Sequence, residues 1–485
     1  MLRSVILIAL AAVLCLESPV VAETAEDLFD EAAVAERAGN LDSAIDLLAR
    51  SAELDPENAS IFNNRGIILA KLKKFQLAVE DFNRAARLNP EDARTFNNRG
   101  MVYQQMGDPD RAMHDFDTAL ELEPDHLGTL YNRAALRAKL NAPAAALSDV
   151  RILLRLDENN SRGRLLLGRI YLTEGAADKA QQEFAAVLRS DPDNTEALNG
   201  SGDAYFMRGN FGNAVKSYTE ALKRSGNDAK LFANRCSSLI RIGEYQHAVR
   251  DCEQALALEP DSPLVRHSLG IAYAASNKHS QAVEAFSAAI HFDDRRPDFF
   301  INRGISYKAL GEDDKAVADF TRAVELDPRN ADAYNNRASI LWGRGDLSKS
   351  ADDFTRALEL NPKHIPAYKN LSAVYIAAND PDAAIQSLQN GLRIFPKDAD
   401  MLAGMGDAWA AKQKTDRALS FYKKAFERAS SPEQKSRIHI RVGLAMEASG
   451  SPARALQSYE KALELAEDPA TRQKLTKKIN ELKTP

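Results

Sequence analysis

Eight prolines, Pro56, Pro90, Pro124, Pro192, Pro260, Pro328, Pro362 and Pro396, fall on one grid of 34 residues. Proline cannot continue a helix, so a grid of prolines is a grid of helix ends. The missing grid points hold Glu158, Gly226 and Asp294, each able to sit in a turn. A fixed period of this size means stacked supersecondary units. It overrides the division into about two to four globular domains that a chain of 485 residues would otherwise suggest, because a stack of repeats grows as one continuous solenoid.

Within each unit, counted with Ala59 as position 1, apolar residues show helical spacing twice, interrupted near positions 15 and 16 by turn residues such as Gly107-Asp108 and Gly311-Glu312. Each unit therefore reads as a helix, a turn, an antiparallel helix and a second turn. Position 8 is small throughout, as in Gly66, Gly100, Cys236, Gly304 and Gly443, and position 20 is alanine except for Ser350. Glycine inside a helix costs about 1 kcal/mol relative to alanine, so its recurrence implies a helix contact too close for a larger side chain. The pattern gives 13 units, beginning at residues 25, 59, 93, 127, 161, 195, 229, 263, 297, 331, 365, 399 and 436, the last displaced by an insertion around Ser430-Ser431-Pro432. They span 25–468. In residues 469–485, Leu475, Ile479 and Leu482 share one face of a helix, as expected of a cap over the last apolar surface.

This arrangement resembles the tetratricopeptide repeat. That family has a bulky residue at position 4, Gly or Ala at 8, Tyr at 11, Ala at 20, Phe at 24, Ala at 27 and Pro at 32. The unit at Pro297 supplies Phe300, Gly304, Tyr307, Ala316, Phe320, Ala323 and Pro328. The resemblance implies an all-α, right-handed superhelical solenoid. It also implies that the first helices line a concave groove that binds proteins or extended peptides, with neither catalysis nor cofactor.

Position 6 is asparagine in seven units, as Asn64, Asn98, Asn132, Asn234, Asn302, Asn336 and Asn370. Arginine follows in six of them, as Arg65, Arg99, Arg133, Arg235, Arg303 and Arg337. The same six carry aspartate at position 23, as Asp81, Asp115, Asp149, Asp251, Asp319 and Asp353, and no other unit does. Such covariation within one chain has two readings: a physical ion pair along the helix seam, or copies of a single ancestral unit. By the resemblance, position 6 faces the groove, where the row is similar to that in the superhelical region of O-linked N-acetylglucosamine transferase. An amide that both donates and accepts can hold a ligand backbone whatever its sequence; alternatively it bonds only neighbouring helix backbone. The same mapping turns Tyr131, Phe206, His267 and Trp342 toward the groove, with Tyr131 and Trp342 as candidate anchors.

The N-terminus reads as a bacterial-type signal peptide. Arg3 supplies the charge, Val5 to Leu16 the apolar run and Val20-Val21-Ala22 the cleavage site, with an uncleaved anchor as the alternative. Cleavage after Ala22 would give a periplasmic or secreted protein without stable membrane insertion. Cys236 and Cys252, at positions 8 and 24 of one unit, are then either a disulfide or two buried thiols.

A net charge of -6 without a basic stripe argues against nucleic acid as a partner. The eight histidines are scattered without metal-ligand spacing, and no phosphate loop is present, so neither metal nor catalytic chemistry is expected. The carboxylate clamp of some family members is broken, since Lys369 is followed one unit later by Gly404 where the clamp has asparagine. An assembly role in an envelope complex for secretion or exopolysaccharide export is the alternative to a general peptide-binding scaffold.

Overall fold

The computed structural model describes residues 23–483; the signal segment expected at 1–22 lies outside them. Every regular element among the described residues is an α-helix. First helices begin at Ala25, Ala59, Ala93, Leu127, Ser161, Thr195, Ala229, Pro263, Pro297, Ala331, Ile365 and Ala399, and each is followed by a second, antiparallel helix.

Local chemistry sets these boundaries. The residue before a first helix is commonly a short polar side chain that caps the free N–H groups: Asp92 accepts from Arg94 N, Asn160 from Gly163 N and Asn330 from Ala333 N. Inside every hairpin, position 15 takes positive φ, the conformation that lets the chain reverse after a helix. It is glycine or asparagine in most repeats but Lys73 and Gln413 in two. The seam between the two helices is built from position 8 against position 24. A Cβ on Gly100 would come within 2.8 Å of Cε1 of Phe116, so the ring occupies the space that a side chain would need. The phenylalanines at position 24, such as Phe82, Phe116 and Phe320, are completely buried there.

Repeat 13 departs from the rule. Its first helix, Pro432–Ala448, has 17 residues where the others have 13, so the insertion adds about one turn to the N-terminal end.

The chain divides into two compact units between Ser225 and Gly226. The boundary falls where the proline grid holds Gly226, with φ of +71°. The first unit contains repeats 1 to 6. Its core runs from hairpin to hairpin through residues such as Ala134, Val150, Leu166 and Ile170. The second contains repeats 7 to 13 and the last helix, Pro469–Lys483, whose Leu475 and Ile479 lie on Met446, Tyr459 and Ala462. From the second repeat on, successive first helices within each unit touch one another, while successive second helices make no comparable contact. The first-helix side is therefore the inner side of each curved stack.

Candidate functional site

At 100° per residue, positions 2, 5, 6, 9, 12 and 13 of a first helix share one arc, and this arc forms the inner face. The asparagines of position 6 stand on it, half-buried. In the first unit Asn98 Nδ2 donates to Asn63 Oδ1 at 3.2 Å, and Asn132 Nδ2 to Asn97 Oδ1 at 2.9 Å. In the second, Asn302 Nδ2 lies 2.8 Å from His267 Nε2. These amides thus bond to the position-5 side chain of the preceding repeat rather than to helix backbone. The side chains of Asn64, Asn336 and Asn370 make no hydrogen bond within the described protein and stay open to solvent, whereas Asn234, half-buried like the others, is not free. An amide offers two N–H donors and a carbonyl with two lone pairs, so even the bonded members retain unused capacity.

Three cavities open on this face, one of about 300 Å³ beside Asn234, Lys230 and Ser237 in the second unit. In the first unit one of about 370 Å³ is lined by Asn98 with Ile67, Ala70 and Met101, an amide beside apolar walls. In the second unit a more polar one of about 390 Å³ brings Trp342 and Asn370 together with Lys369, Arg437 and Arg441. Two carboxylates complete it. Asp400 is 3.3 Å from Lys369 Nζ and accepts from Gln434 at 3.2 Å. Burial works to raise its pKa, but these partners outweigh it and hold the group below its ordinary value. Asp407 is pushed up by burial, against the attraction of Arg441 and the Tyr422 hydroxyl. Tyr131 lies elsewhere, under the Arg162 guanidinium at 4.3 Å. Phe206 packs edge-on against Phe211 at 5.2 Å, in its own turn.

The arginines of position 7 face the other way, into the seam. In all six pairs Nε and Nη2 hold the two oxygens of the position-23 aspartate at 2.6 to 3.0 Å. The aspartates are nearly inaccessible, with Asp115 and Asp149 at 1% exposure. The remaining Nη1 often reaches position 25 of the preceding repeat: Arg99 to Asn83 at 2.7 Å, Arg133 to Asp117 at 2.7 Å, Arg303 to Ser287 at 3.0 Å and Arg337 to Thr321 at 3.2 Å. Each such arginine ties its own hairpin together and fastens it to the previous one.

A second internal pairing escaped the sequence reading. Where position 24 is tyrosine, its hydroxyl crosses the seam to a carboxylate on the first helix: Tyr218 to Asp203 at 2.7 Å, Tyr422 to Asp407 at 2.8 Å and Tyr459 to Glu447 at 2.8 Å. The signal was present, since aspartate occurs at position 9 only in the repeats of Tyr218 and Tyr422. Cys236 and Cys252 occupy the same seam contact and are joined as a disulfide, with Cα atoms 5.6 Å apart. Among the described residues no group of three or more His, Cys, Asp or Glu side chains is placed to hold a metal ion, and no helix is long and apolar enough to cross a membrane.

Family models described as tetratricopeptide repeat match residues 59–92 and 93–126, residues 165–229, 237–298 and 301–365, and residues 341–408, together more than half of the chain. The chain belongs to the tetratricopeptide repeat family. Repeats of this family are in general non-catalytic scaffolds for protein–protein interaction. Solved structures similar to this tetratricopeptide repeat protein include one from Parabacteroides merdae, at 23% identity over 51% of this chain and 98% of that one, with a TM-score of 0.43. Others are a chain of the APC/C hetero-tetramer Cut9-Hcn1, at 16% identity over 94% and 96% with a TM-score of 0.43, and yeast Tom70, at 20% identity over 88% and 95% with a TM-score of 0.40. No curated protein matches.

Proposed function

We propose that the inner face binds extended segments of partner proteins, the asparagine row holding the ligand backbone and the cavities beside it taking its side chains. The observation that carries this reading is the row's unspent hydrogen bonding: the side chains of Asn64, Asn336 and Asn370 stand on the face, open to solvent, without a protein partner. Their donors and acceptors are open to solvent and can exchange water for a ligand backbone without breaking any protein hydrogen bond. The more polar cavity of the second unit, with Lys369, Arg437 and Arg441 around two carboxylates, suits an acidic group of the ligand beside a residue stacked on Trp342.

The test is selection from a random peptide library, followed by titration of the selected peptides against Asn64→Ala, Asn336→Ala and Asn370→Ala combined. These residues support no protein hydrogen bond, so melting should be unchanged while affinity falls about tenfold or more, at roughly 1 kcal/mol per lost bond. Unchanged affinity would move the binding site away from the row.

The same reading takes the protein to be exported, since the signal-like residues 1–22 and the disulfide both suit an oxidising compartment. The N-terminal sequence of the mature protein and its recovery from the periplasm or medium test this. An assembly role in a secretion or exopolysaccharide export complex fits that compartment, and would show as co-purification of the complex through the inner face.

A further inference from the structure

Where the position-7 arginine fastens two repeats and position 4 is aromatic, as for Arg99, Arg303 and Arg337, it occupies a constant seat. Its guanidinium carbon lies over the position-4 ring, 5.3 Å from the centre of Phe96 for Arg99 and 5.5 Å from that of Tyr334 for Arg337. In repeat 9 it also stands 5.7 Å from Tyr307, at position 11. Position 25 of the preceding repeat accepts from Nη1, as Thr321 does from Arg337.

Repeat 11 keeps this seat without its arginine. Tyr368 stands at position 4, Tyr375 at position 11 and Thr355 at position 25 of the preceding repeat, but position 7 is Leu371 and position 23 is Ser387. All five line a cavity of about 450 Å³. In its wall the Ser387 hydroxyl is buried and has no hydrogen-bond partner. We propose that this cavity is a socket for an arginine side chain presented by a partner protein.

The chemistry favours that occupant over others. Two tyrosine rings attract a cation, and a planar guanidinium stacks on them better than an ammonium does. The Thr355 and Ser387 hydroxyls can each accept one of its N–H groups. Glu359 also lines the cavity and is paired with Arg356 at 2.8 Å, an exposed pair that an incoming guanidinium can compete for. Positions 4, 7 and 11 lie on the side of the helix opposite the middle of the inner-face arc, so the socket is separate from the asparagine row.

The experiment uses the full-length protein and ligand-observed saturation-transfer NMR with Nα-acetyl-L-arginine amide, compared with the lysine and leucine derivatives. Transfer to the arginine methylenes should exceed that to either competitor. Leu371→Arg combined with Ser387→Asp rebuilds the chain's own staple, and should abolish the transfer while raising the melting temperature. Ser387→Ala, which removes only the hydroxyl, should weaken binding about fivefold, the equivalent of one hydrogen bond. Equal transfer to lysine or leucine would overturn the assignment to arginine. Transfer that survives both variants, or no transfer to any derivative, would overturn the socket.

Discussion

His267 shows how much one side chain on the inner face depends on its neighbours. Burial, with Arg296 assisting and Asp298 opposing, lowers its pKa from the ordinary 6.5 to about 4, and its ring stacks on Phe299 at 4.6 Å. Folding therefore favours the neutral ring, whose Nε2 is placed to accept from Asn302. The unfolded chain binds this proton more readily, so the contribution is fully present above pH 6.5 and is lost as pH falls toward 4, up to about 3 kcal/mol in all. His267→Gln keeps an acceptor but does not titrate. The stability difference between wild type and variant in urea should shrink or reverse between pH 7 and pH 4.5, and parallel curves would show that folding leaves the proton affinity of the ring unchanged. In the sequence this histidine was visible only as a groove position, because burial against Phe299 comes from packing between repeats. The same limit hid the convergence of Lys369, Arg437 and Arg441. Gly404 was read as breaking the clamp, yet the cations come from repeats 11 and 13 and do not need it.

Between helices, the arginine–aspartate covariation was legible because both partners sit at fixed positions of one hairpin. The third contact, to position 25 of the preceding repeat, was not, since asparagine, aspartate, serine and threonine all serve there. Any short acceptor suffices for one N–H, so no single residue type is selected. Removing one member of a pair this buried leaves the other charged and unpaired, at a cost of about 3–5 kcal/mol. Arg99→Ala and Asp115→Ala should each destabilise on that scale in urea melts. The double variant should cost clearly less than the sum, with a coupling of at least about 1 kcal/mol. Coupling near zero would reduce the covariation to common ancestry of the six repeats. Asn83→Ala, which touches only the inter-repeat bond, should cost about 1 kcal/mol.

Across the molecule, the period was readable because the small residue of position 8 and the left-handed turn residue are backbone requirements that recur with every hairpin, and proline marks most of the joins between them. The division at Gly226 was not, because the grid there differs from its neighbours by a single residue. The final helix tests how far stability in the array is a nearest-neighbour property. Leu475 and Ile479 are 4% and 6% exposed and cover Met446, Tyr459 and Ala462 of repeat 13. Burying one such aliphatic side chain contributes about 1.5–3 kcal/mol. Deleting residues 469–485 should therefore lower the melting temperature and leave an apolar face on the last hairpin that associates with itself as concentration rises, which light scattering after gel filtration would detect. Hydrogen exchange should localise the loss: protection falls in repeats 12 and 13, while repeat 7, closed by the Cys236–Cys252 bridge, keeps its own. A uniform loss across repeats 7 to 13 would instead make the second unit one cooperative block, in which the last helix stabilises every hairpin equally.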